Sequence, residues 1–225
     1  MTANIRFVDE IGLYAFSRGC GTCKWQTDWC RRYCYSQKFH RVNPNLVEID
    51  QSDNAFWRGA DSDQIVAAIH AANNYEYPKR FRFSVRGEIW LKCDDVEKVM
   101  LILLQMPDTL VWIPTRAWQD ADMRGLIERL ILPMPNARVV ASTDPTTPAE
   151  ADQDLRQSGW STIFAGINDN GNQLLLDEHG GTTEPRTCGA FRCPKTWERV
   201  PGHCAVCEDG CFSKGPVSIH FRQHR

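Results

Sequence analysis

The sequence predicts an α/β protein built on a parallel sheet, and three features of the chain indicate this class. Four short runs are rich in β-branched and aromatic residues and are bounded by turn residues, which is typical of strands buried on both faces. The runs recur roughly every 23 to 29 residues, the length of one βα unit. Segments with helical periodicity lie between them. The predicted strands are 81–85, 110–115, 138–143 and 162–167.

Four helices are predicted around these strands. Segment 61–73 carries acidic residues in its first turn, where the positive end of the helix dipole favours negative charge. Segment 148–157 follows Thr146 and Thr147, which are candidate capping residues. The remaining two helices are predicted at 94–105 and 120–130.

Two less regular segments bring the prediction to six strands. Segment 11–17 precedes the first cysteine, and segment 46–50 follows a turn that contains proline. Six βα units fit either a doubly wound open sheet or an incomplete barrel, and periodicity does not choose between the two. Both architectures place functional residues just beyond the carboxyl ends of the strands.

Several polar residues follow the predicted strand ends and should share one edge of the sheet. Glu88 and Arg116 are the strongest candidates for a site, because a carboxylate or guanidinium near buried strand ends needs a partner. Asp144 and the turn at 168–171 are ordinary turn sequences, which favours a structural role for them. The full set is Cys20, Cys23, Arg86, Gly87, Glu88, Arg116, Trp118, Asp144, Asn168 and Asp169.

Nine of the ten cysteines fall in two groups, one near each end of the chain. Close spacing brings several thiolates to one point, as a metal ion or an iron–sulfur cluster requires. A disulfide framework is the alternative, but residues 1–10 carry no apolar run of signal-peptide length, so we expect a reducing, cytoplasmic compartment. The first group is Cys20, Cys23, Cys30 and Cys34, and the second is Cys188, Cys193, Cys204, Cys207 and Cys211.

The first group includes a predicted helix at 29–39, capped by Thr27 or Asp28. On such a helix Cys30 and Cys34 stand at i and i+4, so their thiolates point the same way. Cys-x2-Cys in the preceding loop completes a set of four candidate ligands.

The second group offers the pattern Cys-x10-Cys-x2-Cys-x3-Cys from Cys193 onward, with Cys188 left over. Four such ligands fit a second [4Fe–4S] cluster or one tetrahedral zinc ion. The surrounding segment is rich in Gly, Pro and charge, so we expect it to need a bound inorganic centre in order to fold. The βα rhythm stops near residue 169, which divides the chain into a βα-repeat domain at 1–168 and a cysteine-rich extension at 169–225.

The cysteine pattern Cys23-x6-Cys30-x3-Cys34, followed by segments 82–88 and 111–116, resembles the gene product 88 family of phage and bacterial proteins. That family is in turn similar to radical S-adenosylmethionine (SAM) enzymes. The resemblance implies a partial (β/α)6 barrel of radical SAM type, a [4Fe–4S] cluster at its mouth, a second cluster in the C-terminal extension, and SAM as a possible cofactor.

The resemblance also implies roles for individual residues. Radical SAM enzymes hold their cluster with Cys-x3-Cys-x2-Cys and leave one iron for SAM, whereas the spacing here is different. A cluster on Cys23, Cys30 and Cys34 has a fourth iron that is either open or closed by another cysteine, such as Cys20. Gly87-Glu88 resembles the Gly-Gly-Glu segment that holds the SAM amino group, with one of the two glycines present, and Arg116 is the candidate partner of the SAM carboxylate.

Three functions stay open at this point. The first is a redox enzyme that cleaves SAM reductively, acts on an unidentified small-molecule or macromolecular substrate, and needs a reductant such as flavodoxin or ferredoxin. The second is an electron carrier or sensor whose cluster irons are all bound by cysteine. The third is a zinc-stabilised module that binds protein or nucleic acid through basic stretches such as 79–82, although the net charge of −2 argues against nucleic acid. No apolar stretch reaches the roughly 18 residues of a membrane-spanning helix.

Overall fold

A computed structural model describes residues 4–9 and 11–167 and four later strands. The strands are β1 Arg6–Val8, β2 Leu13–Phe16, β3 Arg80–Phe83, β4 Leu110–Thr115, β5 Ala137–Thr143, β6 Ser161–Ile167, β7 Leu175–Leu176, β8 Thr182–Thr183, β9 Phe191–Arg192 and β10 Ser218–Arg222. The α-helices are α1 Asp28–Tyr33, α2 Tyr35–Val42, α3 Asn45–Gly59, α4 Ser62–Ala72, α5 Cys93–Gln105, α6 Ala121–Leu130 and α7 Ala149–Gln157.

The main sheet has eight strands in the described part of the chain, in the order β1-β2-β3-β4-β5-β6-β10-β9. β1 pairs antiparallel with β2, and the other neighbours in this sheet are parallel. β7 and β8 form a separate antiparallel pair. These pairings confirm the predicted α/β class and its mostly parallel sheet. The division at residue 168 stays a prediction, and β10, which lies after it, pairs with β6, which lies before it.

Most predicted elements lie within two residues of their observed bounds. This holds for the strands predicted from 11, 81, 110, 138 and 162 and for the helices predicted from 61, 94, 120 and 148. β4 matches its prediction at both ends. Short β-branched and aromatic runs therefore identified the buried strands of this sheet.

The strand predicted at 46–50 is wrong, because this segment lies inside α3. Its apolar run is too short to separate a strand from a helix by composition. The buried positions of α3 instead recur every three to four residues, with two adjacent positions at the end, which is the period of a helix that packs on one face. They are Leu46, Asp50, Asp53, Phe56 and Trp57.

The single helix predicted at 29–39 is also wrong, because the chain forms two helices there with Cys34 between them. The backbone of Cys34 is extended, with φ −63° and ψ 111°, so it ends α1 and begins α2. Thr27 caps α1, as predicted: its Oγ1 accepts the backbone N–H of Cys30 at 3.0 Å. Cys30 and Cys34 therefore do not stand one turn apart on one helix.

Both faces of the sheet are covered by apolar side chains, as expected for parallel strands. A large cluster forms between the sheet and the helices around Trp57, Phe81 and Ile113. A smaller cluster lies on the opposite face and joins residues of four strands, with Ile11 beside them: Leu13, Trp112, Val140 and Ile163. Among the described residues, no helix is both long and apolar enough to cross a lipid bilayer.

Candidate metal centre

The four cysteines of the first group meet where β2 ends. Cys20 and Cys23 lie in the loop after this strand, Cys30 lies in α1, and Cys34 joins α1 to α2. All four are free thiols of intermediate burial. Cys20 and Cys34 share a hydrogen bond, and Cys23 interacts electrostatically with Cys30 and with Cys34. The structure thus brings together the four thiols that the sequence singled out.

The thiols differ in how readily they lose a proton. Burial raises the pKa of Cys23 to about 12 and also raises that of Cys30. The hydrogen bond that Cys20 and Cys34 share raises the pKa of Cys20 and lowers that of Cys34. Because metals bind thiolates, a bound metal must displace protons from the thiols whose pKa is raised.

The distances between the sulfur atoms limit which inorganic group the four cysteines can bind. One tetrahedral zinc ion, with Zn–S bonds of about 2.3 Å, keeps its sulfur ligands about 3.8 Å apart. In the described residues, the His, Cys, Asp and Glu atoms that lie mutually within 4.8 Å belong to Cys20, His40 and Asp50, and no three of the four cysteines form such a group. The four thiols are therefore not arranged as a preformed tetrahedral zinc site.

Arg116 connects Cys30 to the ends of β4 and β5. Its Nη2 lies 2.9 Å from Oδ2 of Asp144, which is fully buried, and its side chain also hydrogen-bonds the Cys30 thiol. The same Asp144 oxygen accepts the Thr27 hydroxyl at 2.5 Å. In the described part of the chain, Nη1 of Arg116 is buried without a hydrogen-bond partner. One donor of this guanidinium is therefore unsatisfied among the described residues.

Glu88 lies at the same edge of the sheet, and both of its carboxylate oxygens already accept hydrogen bonds from the protein. Oε1 accepts the backbone N–H groups of Ile89 and Trp90 at 3.0 and 3.3 Å. Oε2 accepts the Thr115 hydroxyl and the Arg116 backbone N–H, both at 2.9 Å. Burial raises the pKa of Glu88 to about 7, although these hydrogen bonds act in the opposite direction. Because a carboxylate accepts about four hydrogen bonds, Glu88 acts here as a support for Arg116.

Gly87 is required by a close crossing of two loops. Its backbone pairs with Gly19, ahead of the cysteine loop, and a Cβ on Gly87 would overlap the Gly19 carbonyl group. Both glycines have positive φ, +79° and +84°, a conformation that other residues rarely adopt. Thr22 fastens the crossing, because its hydroxyl accepts the Glu88 N–H at 2.8 Å and donates to the Gly19 carbonyl at 2.7 Å.

Two residues of this edge were not predicted as site residues, His40 and Asp50. Asp50 is buried in α3, and one of its oxygens, Oδ2, lies 2.8 Å from Nε2 of His40. Its other oxygen accepts two hydrogen bonds from Arg86, at 2.6 and 3.2 Å. The helical period of α3, which places Asp50 on the buried face, is the sequence signal that could have revealed it.

The remaining predicted residues serve the scaffold or lie elsewhere. The indole N–H of Trp118 donates to the Ser142 carbonyl at 3.0 Å, so this side chain ties two strand ends together. Cys188, Cys193, Cys204, Cys207, Cys211, Asn168 and Asp169 lie outside the described residues. Their predicted roles stay predictions.

The family model described as Gene product 88 matches residues 4–208. The match includes every residue of the site at the carboxyl edge of the sheet. No curated protein and no solved structure matches the chain.

Proposed function

The chain belongs to the gene product 88 family, and on that premise we propose that it is an iron–sulfur protein with a redox function. The observation that carries the proposal is the meeting of four free thiols, from a loop, a helix and a helix junction, at the carboxyl edge of a parallel sheet. Cys23, Cys30 and Cys34 are the proposed cluster ligands, and Cys20 is the candidate for the fourth.

A [4Fe–4S] cluster is the group that we propose for these residues. Four free thiols support it, and the lowered pKa of Cys34 favours the thiolate form that binds iron. Thiolates are the usual ligands of such clusters. The C-terminal cysteines are proposed to hold a second cluster, with zinc as the alternative there.

The proposed architecture is a partial barrel of the radical SAM type. From β2 to β6 each strand lies beside the next strand along the chain, and every neighbouring pair is parallel. A doubly wound sheet would reverse its strand order at a switch point. The apolar cluster on the face away from the helices, which links Leu13 of β2 to Ile163 of β6, supports a curved sheet with a filled interior.

The activity that the site supports best is electron transfer to a small molecule bound beside the thiols. A reduced cluster supplies a low-potential electron when it is bound, and the family resemblance implies SAM as the recipient. Arg116 is the proposed contact for a carboxylate of this molecule, because its Nη1 has no partner in the described part of the chain and its side chain reaches Cys30. Glu88 is proposed to position Arg116 rather than to bind the amino group, since its oxygens already accept four hydrogen bonds.

An electron carrier is the second candidate function. The hydrogen bond between Cys20 and Cys34 favours it, because it places a fourth thiol beside the three proposed ligands, where it can close the cluster. In both functions we expect a small redox protein, of the flavodoxin or ferredoxin type, as electron donor.

The test is anaerobic purification of the full chain, with iron, sulfide and zinc quantified per chain. We expect a brown protein that absorbs near 400 nm, roughly, with about four iron atoms for each cluster. Cys23→Ala and Cys30→Ala should each lower the iron content by about one cluster. Cys93→Ala is the matched control, because Cys93 is exposed at the start of α5 and should not alter the iron content.

A second measurement separates the two functions. Addition of SAM to the reduced protein should change its electron paramagnetic resonance spectrum if one iron is open. An unchanged spectrum would favour the carrier. An iron-free preparation, or iron that is unaffected by Cys23→Ala and Cys30→Ala, would overturn both.

A further inference from the structure

One of the four cysteines, Cys20, also lies beside two side chains from α2 and α3. Cys20 comes from the loop after β2, His40 from α2 and Asp50 from α3. Their ligand atoms all lie within 4.8 Å of one another, and Nε2 of His40 is 2.8 Å from Oδ2 of Asp50. The His40 side chain is 20% exposed and the Asp50 side chain 6% exposed, so the group lies just below the surface.

The donor types of this group suit one divalent ion. Thiolate, imidazole and carboxylate are the three protein ligands that zinc takes, at about 2.0 to 2.3 Å. Tetrahedral bonds of that length separate neighbouring ligand atoms by about 3.3 to 3.8 Å. With all three atoms within 4.8 Å, the sulfur needs to move inward by about an ångström at most. The His40 and Asp50 atoms, 2.8 Å apart, need to separate by about half an ångström.

The surroundings of Asp50 hold its carboxylate in the required orientation. Arg86 donates two hydrogen bonds to Oδ1, which leaves Oδ2 directed at His40 and at the backbone N–H of Cys20, 3.4 Å away. Carboxylate ligands of metals are typically held by such outer hydrogen bonds. Gly19 packs so closely on Asp50 that a Cβ there would overlap the carboxylate group. This contact holds the loop that carries Cys20 close to Asp50, and therefore close to His40 as well.

We propose that Cys20, His40 and Asp50 form a mononuclear site for a divalent ion of the zinc type. Binding displaces the thiol proton of Cys20 and takes Nε2 of a neutral His40 whose proton is on Nδ1, and no electron is transferred. Three protein ligands leave a fourth position for water or another ligand. The site does not require the proposed cluster. Where both are present, it engages Cys20 and leaves the cluster to Cys23, Cys30 and Cys34, with its fourth iron open.

Cobalt(II) is the probe for this site, because tetrahedral cobalt absorbs visible light and a thiolate ligand adds a charge-transfer band. The full chain is purified anaerobically, and iron, zinc and bound cobalt are measured per chain. Cys20→Ser, His40→Gln and Asp50→Asn should each lower the bound zinc or cobalt by about one ion and leave the iron unchanged. Cys23→Ala should lower the iron content and leave the bound zinc or cobalt unchanged.

Two controls make the result specific. His70→Gln changes a histidine that stacks on Tyr77 at 4.6 Å, away from the site, and should leave all metal contents unchanged. His40→Cys keeps a ligand at this position, so it should retain the ion and strengthen the cobalt charge-transfer band. This gain of signal is readable even if His40→Gln folds poorly.

The outcomes distinguish this proposal from the cluster itself. Loss of iron from Cys20→Ser, together with unchanged cobalt in His40→Gln and His40→Cys, would assign Cys20 to the cluster and overturn the mononuclear site. An iron-free chain that still binds one cobalt ion through His40 would overturn the cluster and support this site.

Discussion

Among the buried pairs of arginine and aspartate in the described residues, two differ in how completely their hydrogen-bonding groups are satisfied. Arg18 pairs with Asp95 beneath the helices, at 3.0 Å, with side chains 2% and 4% exposed. Nη1 of Arg18 also donates to the Ile89 carbonyl at 2.7 Å, and Asp95 accepts the indole N–H of Trp57, also at 2.7 Å. In the described part of the chain, neither member of this pair has a buried atom without a partner.

The pair of Arg116 and Asp144 lies at the cysteine edge and is incomplete. Asp144 is fully satisfied by Arg116, Thr27 and Thr146, whereas Nη1 of Arg116 is buried without a partner among the described residues. Leaving a buried donor unsatisfied costs about 1 to 3 kcal/mol. The same two residue types therefore serve the fold in one place, and in the other they leave a cationic donor beside the thiols. The difference supports the proposal that this edge of the sheet binds a ligand.

Removal of Asp95 should cause the greatest loss of stability. Asp95→Ala leaves the Arg18 guanidinium buried without its counter-charge, which costs about 3 to 5 kcal/mol. The neighbouring Asp94→Ala is the control, because the side chains of Asp94 and its partner Lys92 are 75% and 66% exposed, and such an exposed ion pair contributes little to stability. The measurement is the midpoint of urea unfolding at equal metal content. Equal unfolding midpoints for the two variants would show that the Arg18–Asp95 pair does not stabilise the fold.

Glu88, which supports Arg116, should make stability depend on pH. Its pKa is raised from 4.5 to about 7 in the folded protein, so the folded state binds its proton more tightly than the unfolded state does. The resulting stability is present below pH 4.5 and is lost as the pH rises through 7, by about 3 kcal/mol in total. Asp53, with a pKa raised to about 6, acts in the same direction.

The check is the unfolding midpoint of wild type and Glu88→Gln between pH 5 and 8. The decline with rising pH should be clearly shallower in Glu88→Gln, with the remaining slope due to Asp53. Parallel curves for the two proteins would mean that Glu88 does not titrate in this range.

Arg116 should affect the chemistry of Cys30 more than the stability of the fold. The guanidinium lowers the pKa of Cys30 against the larger effect of burial. Arg116→Met should therefore raise this pKa further and slow the alkylation of Cys30 by iodoacetamide at pH 8, by about tenfold for each unit of pKa. Rates are measured by mass spectrometry on the metal-free chain.

Cys93 of the same molecule is the internal control for this measurement, since it is exposed and lies on α5. Arg116→Lys keeps the positive charge and should restore part of the rate. An Arg116→Met chain with an unaltered Cys30 rate would remove Arg116 from the proposed site.

The sequence predicted the scaffold well because strands of this sheet are defined by local patterns. β4 is an example: Val111, Trp112 and Ile113 pack on both faces of the sheet and turn residues bound the run, so composition and length were sufficient. The α3 segment failed because three apolar residues in a short run fit either a strand or a helix. The edge residues Glu88 and Arg116 were found because they follow strand ends.

The detail of the site could not be predicted, since it depends on contacts between distant segments. Asp50 meets Arg86, 36 residues away, and Thr27 meets Asp144, 117 residues away. The break of the helix at Cys34 is also invisible in composition, because no glycine or proline marks it. The clustering of the cysteines was predicted, whereas the presence of His40 and Asp50 beside Cys20 required the fold.

The crossing of Gly19 and Gly87 has a mechanical consequence. The loop that carries Cys20 and Cys23 cannot shift without moving the residue next to Glu88, because the two backbones touch and Thr22 links them. Any occupant that pulls the cysteine loop inward or pushes it outward will transmit that displacement to the end of β4. We therefore expect the two loops to move together. A ligand bound by Cys20 or Cys23 should then shift the position of the Arg116 guanidinium.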